Sequence, residues 1–227
     1  LIWDENGDYG SAAVPFGDDP NGAATKALST ALENADCPGE LPELIWVYQS
    51  PGQEEAVLQG LREIVGDRCP IIGGSSADDT VAGHWRQLGP DGPIEDGIAV
   101  AVLFTSGGVS FAFEGGYEPT ANSGVVTGVR PSGDGGIVTG AEGRQLLTID
   151  GRPAAEVLNE WVGGTLSDRL ETGGSILADT TLTPLGINPK GNDAFSHYLL
   201  VHPASIRSDG TVETFATIAE GTCLVSM

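Results

Sequence analysis

The stretch Leu44-Ile45-Trp46-Val47-Tyr48, LIWVY, decides how the chain is read. Five apolar residues in succession are apolar on both faces of an extended chain. That pattern predicts a central strand of a parallel sheet, buried on both sides. Downstream, Ser50-Pro51 opens a helix with Glu54 and Glu55 in its first turn, where the helix dipole favours acids. Val57, Leu58, Leu61, Ile64 and Val65 form its apolar stripe, and Gly66 is placed to cap it. Pro70-Ile71-Ile72 then reads as another short strand.

Upstream, Val14-Pro15-Phe16 is a short apolar run that reads as a strand. Asp19-Pro20 has the chemistry of a helix cap and first helical position. Ala23, Ala24, Ala27, Leu28, Ala31 and Leu32 follow at helical spacing, and the helix is expected to stop near Asn34, before Cys37-Pro38-Gly39. Residues 12–76 therefore predict a parallel βαβαβ unit with right-handed crossovers.

Beyond it the rhythm changes to mixed or antiparallel strands: Ile98 to Phe104, a turn at Ser106-Gly107-Gly108 into Val109 to Phe113, then Val125 to Val129, Ile137 to Thr139 and Gln145 to Ile149. A helix follows Asp150-Gly151, starting at Pro153, with Ala154, Val157, Leu158, Trp161 and Val162 on its apolar face and Gly163-Gly164 at its end. Residues 163–195 are the least regular. Tyr198 to Val201 and Val212 to Ile218 read as late strands, the turn at Ser208-Asp209-Gly210 lying between them. The fold class is α/β, with a smaller α+β segment at the C-terminal end. The expected division is 1–150 and 151–227.

Composition narrows the partners. The 227 residues hold 32 acids against 10 bases, a net charge of -22. Such a surface repels nucleic-acid phosphates and anionic lipid heads. It suits a protein adapted to high salt, where cations screen self-repulsion, as in a halophile's cytoplasm. No apolar run approaches the roughly 20 residues of a membrane-spanning helix, and no signal peptide is visible. Leu1 at the start and Met227 directly after a strand-like run read as a piece of a longer protein. Cys37, Cys69 and Cys223 are widely spaced and form no CxxC, which supports neither a zinc site nor a redox motif. The expectation is reduced, cytoplasmic thiols.

A resemblance emerges from an ordered set of segments. These are Ser50-Pro51; Pro70-Ile71-Ile72-Gly73-Gly74-Ser75-Ser76-Ala77; Asp96 to Leu103; Thr148 to Ala154; Pro184-Leu185-Gly186; and Glu220-Gly221-Thr222-Cys223-Leu224. Together they resemble the FIST sensory domain: its N-terminal part over 1–150 and the start of its C-terminal part, incomplete, over 151–227. The resemblance implies an intracellular sensory module that binds a small ligand, with amino acids the suggested class, and that signals to partner proteins. Some relatives bind haem, which makes His84, His197 and His202 possible axial ligands here. Cys69 and Cys223 are weaker ones. Asp78-Asp79 departs from the glycine and acid that the family carries after GGSSA.

The segment Gly73-Gly74-Ser75-Ser76 has three readings. It is a turn after a buried strand, a cradle of main-chain N–H groups and hydroxyls for an anionic or polar ligand, or a catalytic loop. The cradle reading joins it to Ser50, since both segments would follow parallel strands and open on one sheet edge. Arg144 is a further candidate, because bases are scarce and a guanidinium suits a carboxylate. The catalytic reading makes Ser75 or Ser76 the nucleophile of a hydrolase, but neither GxSxG nor SxxK is present and the nearest histidine, His84, lies eight residues on. No lysine follows the glycines, so this is not a Walker loop. His197 and His202, five residues apart about one strand, point to opposite faces, which argues against a shared metal. Asp18-Asp19 and Asp78-Asp79 carry no EF-hand spacing. The expectation is a non-catalytic ligand-binding module with no resident metal.

Overall fold

The computed structural model describes residues 4–78, 83–112, 115–130, 144–187 and 198–227, with the backbone alone at 128–130. Two compact units divide the chain, Leu1–Phe111 and Ala112–Met227.

In the first unit the order is Asp8–Pro15 (β1), Pro20–Asn34 (α1), Leu44–Gln49 (β2), Glu54–Val65 (α2), Ile71–Ser75 (β3), Gln87–Gly89 (β4), Gly92–Ile94 (β5) and Gly97–Phe104 (β6). Helix α1 follows its sequence signals closely. The Asp19 side chain accepts from the Gly22 N–H, Pro20 opens the helix, and the six residues at helical spacing are its buried ones. In α2, Glu54 and Glu55 stand in the first turn, and the Gly66 N–H bonds the Arg62 carbonyl at the other end.

The sheet corrects the expected βαβαβ arrangement. Its order is β1-β6-β2-β3. Strand β6 lies between β1 and β2, antiparallel to both, and only β2 and β3 are bonded in parallel. Strands β1, β2 and β3 still run in one direction. The long apolar β6 takes the central place because it can complete a ladder on each side, pairing all eight residues of β1 and all six of β2. Both crossovers advance the same way across the sheet, so two connections of one hand put α1 and α2 on one face. There Leu28, Leu61, Ile45, Val47, Ile98 and Val102 share a single core with the α1 alanines.

Among the described residues the other face carries no helix, only the β4–β5 hairpin against part of it, which overturns the burial expected of LIWVY on both sides. Trp46 is 42% exposed and Tyr48 48%, while Ile45 and Val47 are buried. The strand alternates, in and out, because helices cover only one side of it.

The second unit comprises Ser123–Arg130 (β7), Gln145–Ile149 (β8), Arg152–Pro153 (β9), Ala154–Trp161 (α3), Ser167–Thr172 (α4), Gly174–Ser175 (β10), Leu177–Thr180 (α5), Leu185–Ile187 (β11), Leu199–Val201 (β12), Pro203–Ile206 (β13), Val212–Thr214 (β14) and Cys223–Ser226 (β15). Among the described residues its strands pair antiparallel in the order β10-β13-β14-β8-β7-β15-β11-β12, with β9 on β8. Strands β7 and β8 thus belong to one sheet with the late strands. That is why the second compact unit begins before β7. Leu146, Ile149, Leu158, Leu185 and Leu224 lie in its core. The hairpin strand expected from Val109 does not form over the described residues 109–112. The strand expected at 137–139 lies outside the described residues.

Gly73 is the tightest point of the first sheet. Its φ is +146°, and a Cβ there would stand 1.7 Å from the Val47 carbonyl oxygen, whereas a Cβ on Gly74 would meet nothing within 4 Å. Gly73→Ala is expected to cost at least about 2 kcal/mol of stability. Gly74→Ala should stay within about 0.5 kcal/mol of the parent protein. Urea unfolding at constant salt measures both, and equal effects would contradict the close approach at Gly73.

Candidate functional site

Strands β2 and β3 end side by side, with Gln49 opposite Ser75. Gly73, Gly74 and Ser75, expected in a loop, belong to β3 itself. The change has a direct chemical consequence. The Ser76 N–H donates to the Gln49 carbonyl at 2.8 Å, and the Ser50 N–H donates to the Gly97 carbonyl at 2.9 Å. Those amides are already committed, so an anion cradle of free main-chain donors at Ser50 and Ser76 is not what the strand ends present. Side chains take over.

Ser50 is 1% exposed. Its hydroxyl lies 3.2 Å from both Gln87 Oε1 and the Glu95 carbonyl, and it accepts from the Gly97 N–H at 3.1 Å. Gln87, also buried, donates through Nε2 to Ser76 Oγ at 2.8 Å. Ser76 Oγ in turn donates to the Arg86 carbonyl at 3.3 Å. One glutamine amide therefore joins the residue after β2, the residue after β3 and strand β4. Ser50 is the buried anchor of this network and Ser76 its half-buried outer member, while Gly74 and Ser75 beside it are exposed.

A second chain of bonds runs outward from Gln49, which is 5% exposed. Gln49 Nε2 donates to Ser75 Oγ at 3.4 Å, and Ser75 Oγ donates to Glu54 Oε1 at 2.7 Å. The Gly52 N–H lies 3.0 Å from each Glu54 carboxylate oxygen. Gln49 Oε1 is buried and carries no hydrogen bond. The neighbouring bonds fix the amide orientation, since a flipped Gln49 would set two acceptors, its Oε1 and the Ser75 oxygen, against each other.

The sequence reading missed Gln49, Glu54 as a contact of Ser75, and Gln87. Treating LIWVY as apolar on both faces hid the alternation that carries Gln49 inward after Ile45 and Val47. Nothing in the sequence placed Gln87, which reaches Ser50 only because the β4–β5 hairpin folds back.

Arg144 belongs to the second unit, where it is 1% exposed and its carbonyl accepts from the Thr214 N–H at 3.0 Å. His84 is exposed, its main-chain N–H held by Asp78 Oδ2 at 2.8 Å. His202 is half-buried with Tyr117 edge-on at 6.3 Å, and burial lowers its pKa. His197 lies outside the described residues.

Neither described histidine lines the groove of about 290 Å³ beside Trp46 and Tyr48 or that of about 440 Å³ along α2. Cys69 is a poor axial ligand, since its Sγ donates to the Pro42 carbonyl at 3.1 Å and burial pushes the thiol pKa up. The hydroxyls of Ser75 and Ser76 donate to Glu54 and to a main-chain carbonyl, not to a histidine. Among the described residues no cluster of three or more His, Cys, Asp or Glu side chains is arranged to hold a metal.

Two outcomes follow. Ser50→Ala leaves the buried Gly97 N–H without its acceptor and should cost about 1–3 kcal/mol in urea unfolding; an unchanged midpoint would show that the anchor is not formed. Exposed Cys223 should react with a thiol reagent at neutral pH at least about tenfold faster than buried Cys37 and Cys69, as read by mass spectrometry of the labelled peptides.

Comparison with known proteins completes the picture. No curated protein matches the chain. A family model described as the FIST N domain matches residues 2–152, two thirds of the sequence, and covers the first unit together with β7 and β8. The chain therefore belongs to the FIST family, a family of sensory domains.

Proposed function

We propose that this chain senses a small polar, amino-acid-like ligand at the ends of β2 and β3 and passes the signal to a partner protein. Gly73 and Gly74 shape the strand end, Ser75 and Ser76 offer hydroxyls, and Ser50 anchors the network beneath. The observation that carries this reading is the Gln87 amide, which ties Ser76 to Ser50 and so to the start of β6. A ligand that pulls on Ser76 acts at once on Gln87 in the hairpin β4–β5. The ends of adjacent parallel strands are a common place for ligands in α/β sheets. Membership of a sensory family supports recognition without chemistry; among the described residues the Ser75 and Ser76 hydroxyls donate to Glu54 and to the Arg86 carbonyl. Among the described residues no helix is long and apolar enough to cross a membrane. The net charge of -22 suits a salty cytoplasm, where cations screen self-repulsion.

Thermal-shift screening of the 227-residue chain in high salt, against amino acids and the corresponding amines and acids, tests the reading. A true ligand present at about 100 times its Kd adds about 2.7 kcal/mol of stability. The gain should fall in Ser75→Ala. A gain that is unchanged in Ser75→Ala, or no gain with any compound, would overturn the site.

A further inference from the structure

We infer that the trough on the helix-free face of the first sheet is a further binding site, for an uncharged aromatic group. It stands apart from the strand-end site and does not depend on it.

The trough follows from the register of the sheet. Its rungs run Ser11–Ala101–Trp46 and Ala13–Ala99–Tyr48 across β1, β6 and β2. Residues paired across strands share a face. Serine and alanine therefore make a low floor. Trp46 and Tyr48 stand at its β2 side, with ring centroids 6.1 Å apart and planes 33° from parallel. The β4–β5 hairpin bounds the β1 side. Gly89 sits so close to β1 that a Cβ there would stand 2.3 Å from the Ala13 Cβ. Leu88 and Pro90, on either side of it, line the same trough of about 290 Å³. Buried bonds hold this wall in place, because Gln87, the residue before Leu88, bonds Ser50 and Ser76. A preformed site loses less freedom on binding.

Charge narrows the guest. None of the ten residues lining the trough is charged, in a chain where 19% of residues are. The groove along α2 is the contrast, with Glu55, Arg62 and Glu63 among its five lining residues. An ion would leave water for a floor of methyl groups with no counter-ion, which is costly. An apolar ring gains instead. Trp46 is 42%, Tyr48 48% and Leu88 79% exposed, so there is apolar surface left for a guest to bury. The Trp46 Nε1–H and the hydroxyls of Tyr48 and Ser11 have no hydrogen-bond partner among the described residues. That suits a ring with one polar edge, as in indole or phenol.

Size excludes larger occupants. Strands β1 and β2 lie two strand spacings apart, about 9.6 Å. A helix with its side chains is about 10–12 Å across and does not enter between the aromatic pair and the hairpin. A second sheet packs on a flat face, which the hairpin interrupts.

Indole, indole-3-acetate and cyclohexanol separate ring, charge and bulk. Each is titrated into the labelled 227-residue chain at constant high salt, following the Leu88, Ala99 and Ala101 methyls and the Trp46 Nε1–H by NMR. Indole should give saturable shifts at all four residues, with a Kd at least about tenfold below that of the other two. Ala101→Leu, which fills the floor, should weaken indole at least about tenfold. Leu88→Ser, at an exposed position that folding does not depend on, should weaken it at least about twofold. Gln59→Ala, in the groove along α2, should change it less than about twofold. Shifts that do not saturate, or equal weakening in Leu88→Ser and Gln59→Ala, would reveal general stickiness and overturn the inference. Indole-3-acetate or cyclohexanol binding as tightly as indole would overturn the stated class of guest. In the ligand-free protein, cross-relaxation from the Ala99 and Ala101 methyls to residues beyond 112 would show the trough filled by the second unit. Movement of those methyl signals with protein concentration would show it filled by a second copy. Either result would overturn the inference, and none of them bears on the strand-end site, which the Ser75→Ala thermal shift tests separately.

Discussion

The contact on which the rest depends is the approach of Gly73 to the backbone of Val47. Only a residue without a Cβ can run so close to that carbonyl, and only then do β2 and β3 stay in parallel register to their last residues. That register sets Gln49 opposite Ser75. It also brings the first turn of α2, which starts five residues after β2, within reach of Ser75. A break at Gly73 would therefore remove both the edge of the sheet and the geometry of the polar cluster.

Two features then set the chemistry of the strand ends. One is the buried bracing by Ser50 and Gln87, in which each polar atom named has a partner and a change at Ser76 is felt at Gly97. The other is the exposed chain through Gln49, Ser75 and Glu54, which ends on a carboxylate at one side and an unserved carbonyl at the other. Fully bonded polar networks are stiff, while a buried group left without a partner is costly. The two lie side by side, joined through the adjacent residues Ser75 and Ser76.

The helices were legible because their signals are local. Asp19-Pro20, the alanine spacing of α1, Glu54-Glu55 and Gly66 act within a few residues of where they stand. Pairing was not legible, because it is decided at long range. Nothing near Val14 or Leu44 announces that Ile98 to Phe104 will insert between them, and the bare face of Trp46 and Tyr48 follows from both helices crossing on one side. The serine segment was found by its composition, but its role was misjudged in one respect. Composition alone suggests a free loop at the glycines, whereas pairing makes them strand and commits neighbouring amides. Gln87 reaches Ser50 across 37 residues, beyond any local pattern.

The most direct measurement of this account is the NMR behaviour of the Gln49 and Gln87 side-chain amides in the ligand-free protein. The account predicts that the Gln87 amide protons exchange slowly with solvent and show cross-relaxation to both Ser50 and Ser76, with Gln49 close to Ser75. Rapidly exchanging glutamine amides at unfolded-chain shifts, without those contacts, would contradict it.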